Sequence, residues 1–150
     1  MSMVSLVKGC SLFHEIYDNE IEEVIKHCVV ATYENDDYII KQGDESTDIC
    51  ILLSGEADIV FSDGDKQSYI ATLKQGDIFG ELVLINETKR TANIICKKPC
   101  DVLIIKYEDF YSFYNKNPKI FSLLVLNITR LVTKRLKMMN AAFQDVNKAA

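Results

Sequence analysis

Three residue types that together can bind a small anion lie in the segment FGELVLINETKRTA, which runs from Phe79 to Ala92. Gly80 has no side chain to keep an anion away from neighbouring main-chain amides. Arg90 offers a planar guanidinium that suits a phosphate better than a lysine would. Glu81 would repel the same anion, so we expect it to accept a hydrogen bond from a sugar hydroxyl on the same ligand. A phosphate group next to a sugar hydroxyl is found in a nucleotide, so this segment predicts a nucleotide-binding site.

The region that must position these residues has the composition of short β-strands. Between Tyr38 and Lys106, runs rich in Ile, Val, Thr and Tyr are separated by turn residues, and five of the six glycines fall in this region. The runs are YIIK, ICILL, EADIVF, SYIATL, TANIIC and DVLIIK. SDGD at 62–65 indicates a hairpin. We predict an antiparallel, jelly-roll-like β-roll over about residues 32–106.

Helical periodicity flanks this region on both sides. Apolar residues recur at three- and four-residue steps over about 11–30, which predicts two short helices. A longer helical region over about 107–147 contains Pro118 near a helix start and no glycine, and it predicts a C-terminal helix pair. The fold class is therefore α+β, and residues 1–150 are expected to form a single domain.

The second half of the long helix is amphipathic. Leu131, Leu136, Met139 and Phe143 lie on one face, opposite Arg130 and other basic residues. A monomer would struggle to cover such a stripe. We therefore expect a homodimer built on the C-terminal helix.

Composition excludes several classes of protein. The chain has 48% hydrophobic residues and a net charge of -5, and no apolar run approaches the length of a membrane span. The first residues do not form a signal peptide, so a cytoplasmic protein without a membrane partner is expected. Five cysteines without paired ligand spacing predict free thiols. Cys96 and Cys100 could be half of a metal site, but the two histidines lie far away, and no metal is expected.

Charge is unevenly distributed along the chain. Residues 116–150 carry seven Lys and Arg residues and one acidic residue. Residues 1–115 carry ten Lys and Arg residues and twenty-one acidic residues. A basic tail can bind nucleic acid, but an acidic body repels phosphate backbones, and a solvated helix face is the interpretation favoured here. Only a few residues follow Val146, so direct DNA binding is not expected.

The spacing FGEL-x-L-I-x-x-x-x-R-T-A resembles the phosphate-binding cassette of cyclic nucleotide-binding domains. These domains occur in kinase regulatory subunits, nucleotide-gated channels and bacterial catabolite-activator-like regulators. The segments LFHEI, IIKQGDESTDICILLSGEADI and LKQGDIFGEL are also similar to this family. The resemblance covers roughly residues 10–140.

This resemblance implies a role for each residue of the segment. Arg90 would bind the phosphate oxygens, and Glu81 would accept a hydrogen bond from the ribose 2'-hydroxyl. Thr91 would contact the phosphate or the base. Main-chain amides after Phe79 would line the phosphate, and Val83 departs from the small residue usual there. The complete predicted ligand-binding set is Phe79, Gly80, Glu81, Leu82, Val83, Arg90, Thr91 and Ala92.

The function expected from these observations is that of a stand-alone sensor of cyclic AMP or cyclic GMP. Such a sensor would signal to an effector protein by repositioning its C-terminal helix. The alternative is a noncatalytic interaction module that has kept the fold and lost the ligand. An enzyme is not expected, because the histidine-rich metal motif of cupin oxygenases, which are built from similar strands, is missing from the sequence.

Overall fold

The computed structural model describes residues 2–85 and 89–149, without the side chains of residues 83, 85 and 146–149. The helices are α1 (Met3–Val7), α2 (Asp18–Ile25), α3 (Tyr107–Lys116) and α4 (Pro118–Ala149), with 3₁₀ helices at Ser11–Phe13 and Glu81–Ile85. The strands are β1 (Val29–Tyr33), β2 (Tyr38–Ile40), β3 (Ile49–Asp63), β4 (Lys66–Leu73), β5 (Ile78–Phe79) and β6 (Asn93–Ile105).

The strands form one antiparallel sheet whose centre is made by β3 and β6. The strand order is β1-β6-β3-β4, with β2 beside β6 and β5 beside β3. The α+β fold predicted from the sequence, an antiparallel roll with helices before and after it, is confirmed.

Two of the central strands are longer than the sequence predicts. ICILL and EADIVF belong to the single strand β3, and TANIIC and DVLIIK join in β6. Their pairing shifts register near Ser54 and Glu56, which lets the strands bend where a turn was expected. Gly55, between these residues, has a φ of 90°, and a Cβ there would collide with the main-chain oxygen of Pro99.

The N-terminal boundaries also differ from the prediction. The helical region ends at Ile25, and β1 begins at Val29, a few residues before the predicted start of the roll. β-Branched residues in β1 pair with β6, which favours strand over helix there. α1 was not predicted, and it forms because Val4 and Val7 bury against the core.

Alternating side chains of β3 separate two hydrophobic clusters. Ile49 and Ile51 face the helices and pack in a cluster with Phe110. Cys50 and Leu52 point the other way, into the interior of the roll. This alternation follows the two-residue period of a strand, and each large side chain so buried contributes roughly 1.5–3 kcal/mol.

The first half of α4 is anchored to the rest of the protein. Ile120, Leu124 and Ile128 are buried on one face of the helix. The Asn127 side-chain amide, 2% exposed, donates to the main-chain oxygens of Leu12 and His14, both at 2.8 Å. These contacts hold the helix against the N-terminal segment. Leu126 is 42% exposed, so this half is buried on one face rather than all round.

Candidate functional site

Gly80 connects β5 to the 3₁₀ helix at Glu81–Ile85 and has a φ of 82°. A Cβ at this position would lie 2.7 Å from the Asp48 main-chain oxygen and 2.8 Å from Arg90 Nη1. Both the backbone conformation and the close approach therefore require glycine. The absence of a side chain brings the Arg90 guanidinium directly against this main chain.

Arg90 is held at the same place by its main chain and by its side chain. Its amide donates to the Asp44 oxygen at 2.9 Å, and its own oxygen accepts from the Gly43 amide at 2.8 Å. The side chain is almost fully buried, and Nη2 donates to Asp48 O at 2.7 Å and to Ser46 Oγ at 3.0 Å.

The Arg90 guanidinium has one hydrogen-bonding group left over. Nη1 donates to the Gly80 oxygen at 3.2 Å. Nε is buried and, among the described residues, has no hydrogen-bond partner. A buried donor without an acceptor is costly. An anion placed beside Gly80 would supply that acceptor, so the arrangement fits a phosphate.

Glu81 is paired with a residue from the far half of α4. Arg135 Nη1 lies 2.5 Å from Glu81 Oε1, and Arg135 Nη2 donates to the Ile78 main-chain oxygen at 2.6 Å. Sequence reasoning did not place Arg135 at this site. Its neighbours Arg130, Lys134 and Lys137 are also basic, so residue type alone does not single it out.

The cavity at this site has a volume of about 140 Å³. It is lined by Ile40, Ile59, Leu73, Phe79, Gly80, Glu81, Leu82, Lys89, Arg90, Thr91, Ala92, Ile94 and Arg135. Three of these side chains are cationic and one is anionic, which favours an anionic ligand. The aliphatic walls can take the apolar face of a ring.

Seven of the eight predicted ligand-binding residues therefore line one cavity. Phe79 lies mostly in the core, being 3% exposed, and Thr91 is exposed. Val83 belongs to the 3₁₀ helix, but its side chain lies outside the described part of the chain. The residues that sequence reasoning missed are Arg135, Lys89 and the aliphatic residues of the walls.

The thiols of the roll interior are buried. Burial raises the pKa of Cys50 to about 12, although the nearby Arg90 charge acts in the opposite direction. Burial and the neighbouring Cys96 thiol raise the pKa of Cys100 to about 12, and the two sulfur atoms lie 3.3 Å apart. Within residues 2–85 and 89–149, no group of three or more His, Cys, Asp and Glu side chains is placed to hold a metal ion.

Comparison with known proteins agrees with this geometry. The model of the cyclic nucleotide-binding domain family matches residues 30–117. The cAMP-activated global transcriptional regulator CRP of Pasteurella multocida is 32% identical over 132 residues, which are 86% of this chain and 63% of that protein. Human cGMP-dependent protein kinase 2 is 34% identical over 110 residues, 71% of this chain and 14% of the kinase.

Solved structures show the same fold. A cyclic nucleotide-binding domain from Methylobacillus flagellatus superimposes with a TM-score of 0.81 at 20% identity and covers 91% of this chain and 77% of that one. The catabolite activator protein of Thermus thermophilus gives a TM-score of 0.78 at 22% identity, covering 91% of this chain and 63% of that one. The chain belongs to the cyclic nucleotide-binding domain family.

One prediction from the sequence is wrong. Direct DNA binding was excluded because few residues follow Val146, but the regulators that match this chain are named as transcriptional regulators, and the chain spans only 63% of their length. The position at which this chain ends is therefore no evidence against DNA binding. Of the helices in the described part of the chain, none combines the length and hydropathy needed to cross a membrane.

Proposed function

We propose that this chain is a sensor of cyclic nucleotides and that cyclic AMP is its physiological ligand. Support for the adenine nucleotide comes from the bacterial relatives, which are named as cAMP-activated regulators. Cyclic GMP is the second ligand, because a relative with 34% identity is named as a cGMP-dependent kinase.

The observation that carries this proposal is the buried Nε of Arg90, which has no hydrogen-bond partner among the described residues, in a guanidinium whose Nη1 lies beside Gly80. In the proposed complex, Arg90 turns its guanidinium from main-chain oxygens to the phosphate, together with the amides of Gly80, Leu82 and Val83. A charged donor forms stronger hydrogen bonds with a phosphate than with neutral carbonyl oxygens. The exchange of partners is therefore favourable once the nucleotide arrives.

The sugar and base occupy the remainder of the cavity in this proposal. Glu81 accepts a hydrogen bond from the ribose 2'-hydroxyl. The aliphatic wall, which includes Ile59 and Leu73, lies against the sugar and the base. Thr91, exposed at the rim, contacts phosphate or base, and Ala92 continues the wall.

The signal is a change in the position of α4, and the role is regulatory rather than catalytic. Support comes from the direct contact between α4 and the cavity through Arg135. A ligand that binds one position of the helix more tightly than another shifts the population toward it. An effector protein would read that change. The cytoplasmic location and the stand-alone organisation stay predictions.

The far half of α4 supports the homodimer as part of this proposal. Leu136, Met139 and Phe143 are 56%, 68% and 67% exposed, as the sequence predicts. Leu131 differs, because it packs against the core cluster instead of extending the stripe. A second copy of α4 would cover the three exposed side chains around a two-fold axis.

Two observations favour a second candidate function, a noncatalytic interaction module that has lost nucleotide binding. The cavity of about 140 Å³ is smaller than the roughly 300–1,000 Å³ of typical small-molecule sites. In addition, both Nη atoms of Arg90 already have protein acceptors. A nucleotide phosphate would therefore have to replace these acceptors to bind both Nη atoms.

Isothermal titration calorimetry separates the two candidates. We expect saturable binding of cyclic AMP at one site per chain, weaker binding of cyclic GMP, and no binding of non-cyclic AMP at the same concentrations. Saturation by cyclic GMP alone would move the physiological ligand to the guanine nucleotide. No heat from either cyclic nucleotide, confirmed by an unchanged melting temperature, would favour the interaction module.

A further inference from the structure

Two cysteines of β6 lie in direct contact although they are four residues apart along the strand. Cys96 Sγ and Cys100 Sγ are 3.3 Å apart. Four steps along an extended strand cover about 13 Å, because each residue advances the chain by about 3.3 Å. The chain must therefore bend sharply between these two residues.

A bulge in β6 produces this bend. The pairing with β3 joins Cys96 to Ala57 and Asp101 to Ser54. Over this distance β6 advances by five residues and β3 by three. β6 therefore contains two additional residues, and such an insertion bends the strand and brings Cys96 and Cys100 together.

The residues around the bend fix the positions of both sulfur atoms. Gly55 of β3 faces the bend with a φ of 90°, and a Cβ there would lie 2.2 Å from the Pro99 main-chain oxygen. The main-chain oxygen of Lys98 lies 3.0 Å from Cys96 Sγ and 2.9 Å from Cys100 Sγ. Both thiols thus contact the same main-chain group. The contact between them is set by the path of the backbone and not by one flexible side chain.

The sulfur pair is buried but lies under an exposed segment. Cys96 and Cys100 are each 1% exposed, whereas residues 97–99 between them are exposed. Local opening of such a short surface segment admits a small molecule without unfolding of the sheet. Burial and the neighbouring thiol raise the pKa of Cys100 to about 12. Because the thiolate is the reactive form, its attack on an oxidant is slow.

We propose that Cys96 and Cys100 are a redox-active pair that a peroxide converts into an intrachain disulfide. The length of a disulfide bond is about 2.05 Å, so the two sulfur atoms need to approach by only about 1.2 Å. The reaction does not depend on nucleotide binding.

The oxidation proceeds in two balanced steps. The thiolate of one cysteine attacks a peroxide oxygen, the O–O bond breaks, and the departing hydroxide takes up the proton that the thiol released. The product is a sulfenic acid. The second thiol then attacks the sulfenic sulfur, the S–O bond breaks, and water leaves with the proton of that thiol. In sum, two thiols lose two electrons and two protons, and one hydrogen peroxide becomes two water molecules.

The distance between the two thiols decides the outcome of the second step. A sulfenic acid on Cys96 or Cys100 has a thiol 3.3 Å away, so the disulfide forms before further oxidation. Cys50 is buried in the same hydrophobic cluster, but the hydrogen bonds among the described residues include none between it and another sulfur atom. Its sulfenic acid would proceed to an irreversible sulfinic acid. Oxidation of the pair, in contrast, is reversed by a dithiol reductant through thiol–disulfide exchange.

Peptide mapping of the unmodified chain tests this chemistry. The folded chain is treated with hydrogen peroxide at about pH 9, where the thiolate fraction is larger, and the remaining thiols are alkylated in denaturant. Trypsin cuts the chain after Lys97 but not before Pro99. The disulfide therefore leaves two tryptic peptides joined through Cys96 and Cys100. We expect these linked peptides as the main thiol oxidation product, and their loss after treatment with dithiothreitol.

Cys50→Ala is the matched control. It removes a buried thiol from the same cluster, and the linked peptides should form at an unchanged rate. Cys96→Ala and Cys100→Ala should each abolish them. The cysteine that remains in either variant should instead carry added oxygen that dithiothreitol does not remove.

The exposed methionines show whether the oxidant was active. Met138 and Met139 are 64% and 68% exposed, so peroxide converts them to sulfoxides. Complete alkylation of Cys96 and Cys100 in samples whose exposed methionines are fully oxidised would overturn the redox pair. Disulfides that join Cys50 to Cys96 or Cys100 in equal yield would also overturn it, because contact between the two sulfur atoms would not direct the reaction.

Discussion

Replacement of Arg90 by leucine should affect both nucleotide binding and stability. The binding effect arises because Arg90 is the cation placed beside Gly80, where the phosphate is proposed to lie. Loss of one member of a buried, hydrogen-bonded charge pair costs roughly 2–5 kcal/mol. At about 1.4 kcal/mol per factor of ten, the Kd for cyclic AMP should rise by roughly 30-fold to several thousand-fold.

The stability effect follows from the contacts that Arg90 makes within the protein. Its guanidinium donates to the oxygens of Gly80 and Asp48 and to the Ser46 hydroxyl, at 3.2, 2.7 and 3.0 Å. Hydrogen bonds to a charged group contribute about 1.5–3 kcal/mol each. Leucine also removes a costly buried charge and an Nε that has no partner among the described residues. We expect a net loss of about 2–4 kcal/mol. The sequence alone predicts no loss, because these acceptors are distant along the chain.

Two measurements on the same samples separate the effects. Chemical denaturation gives the free energy of unfolding, and calorimetry under conditions where each variant is folded gives the Kd. Lys89→Ala is the matched control, because it removes a neighbouring cation that lines the cavity but is exposed. It should change the Kd by less than about fivefold, as expected for an exposed charge.

The outcome that refutes this reasoning is a destabilised Arg90→Leu variant that binds cyclic AMP with an unchanged Kd. Arg90 would then be a structural residue that holds the loop around Ser46 and Asp48, and the phosphate would lie elsewhere. A Lys89→Ala variant that loses as much affinity as Arg90→Leu would instead assign the main phosphate contact to Lys89.

Four further predictions concern other parts of the molecule. Gly80→Ala should lower the free energy of unfolding by about 1–3 kcal/mol, because alanine must take a positive φ against a main-chain oxygen; an unchanged denaturation midpoint would contradict the required close approach. Thr91→Ala should weaken cyclic GMP by about 1 kcal/mol and spare cyclic AMP if the hydroxyl reads guanine, whereas equal losses in calorimetry would place the hydroxyl on the phosphate. Sedimentation should show a dimer that Phe143→Glu converts to a monomer, and a monomer at tens of micromolar for the unmodified chain would end the dimer hypothesis. The pKa of Cys50 is raised in the folded protein to about 12 from an ordinary 9.0, so its contribution to stability is complete below about pH 9 and is lost as the pH rises toward 12; the free energy of unfolding should fall less steeply over that range in Cys50→Ala.

Several parts of this molecule were predictable from the sequence because they depend on neighbouring residues. The two-residue alternation that puts Ile49 and Cys50 on opposite sides of β3 is a local property of a strand. Gly80 and Glu81 follow a strand directly, and Arg90 comes shortly after them, so their shared site could be inferred from type and spacing. Local chemistry was sufficient for these predictions.

Tertiary structure alone decided which protein groups those residues contact. The acceptors of Arg90 include main-chain oxygens, one of which is 42 residues away along the chain. Every residue has a main-chain oxygen, so the sequence cannot indicate which one will accept a hydrogen bond. Arg135 meets Glu81 across 54 residues, and it was one of several basic side chains on a helix that a pattern could only describe as amphipathic. Which of them reaches the site depends on how the anchored first half of α4 directs the helix across the roll, and that direction is set by packing between distant elements.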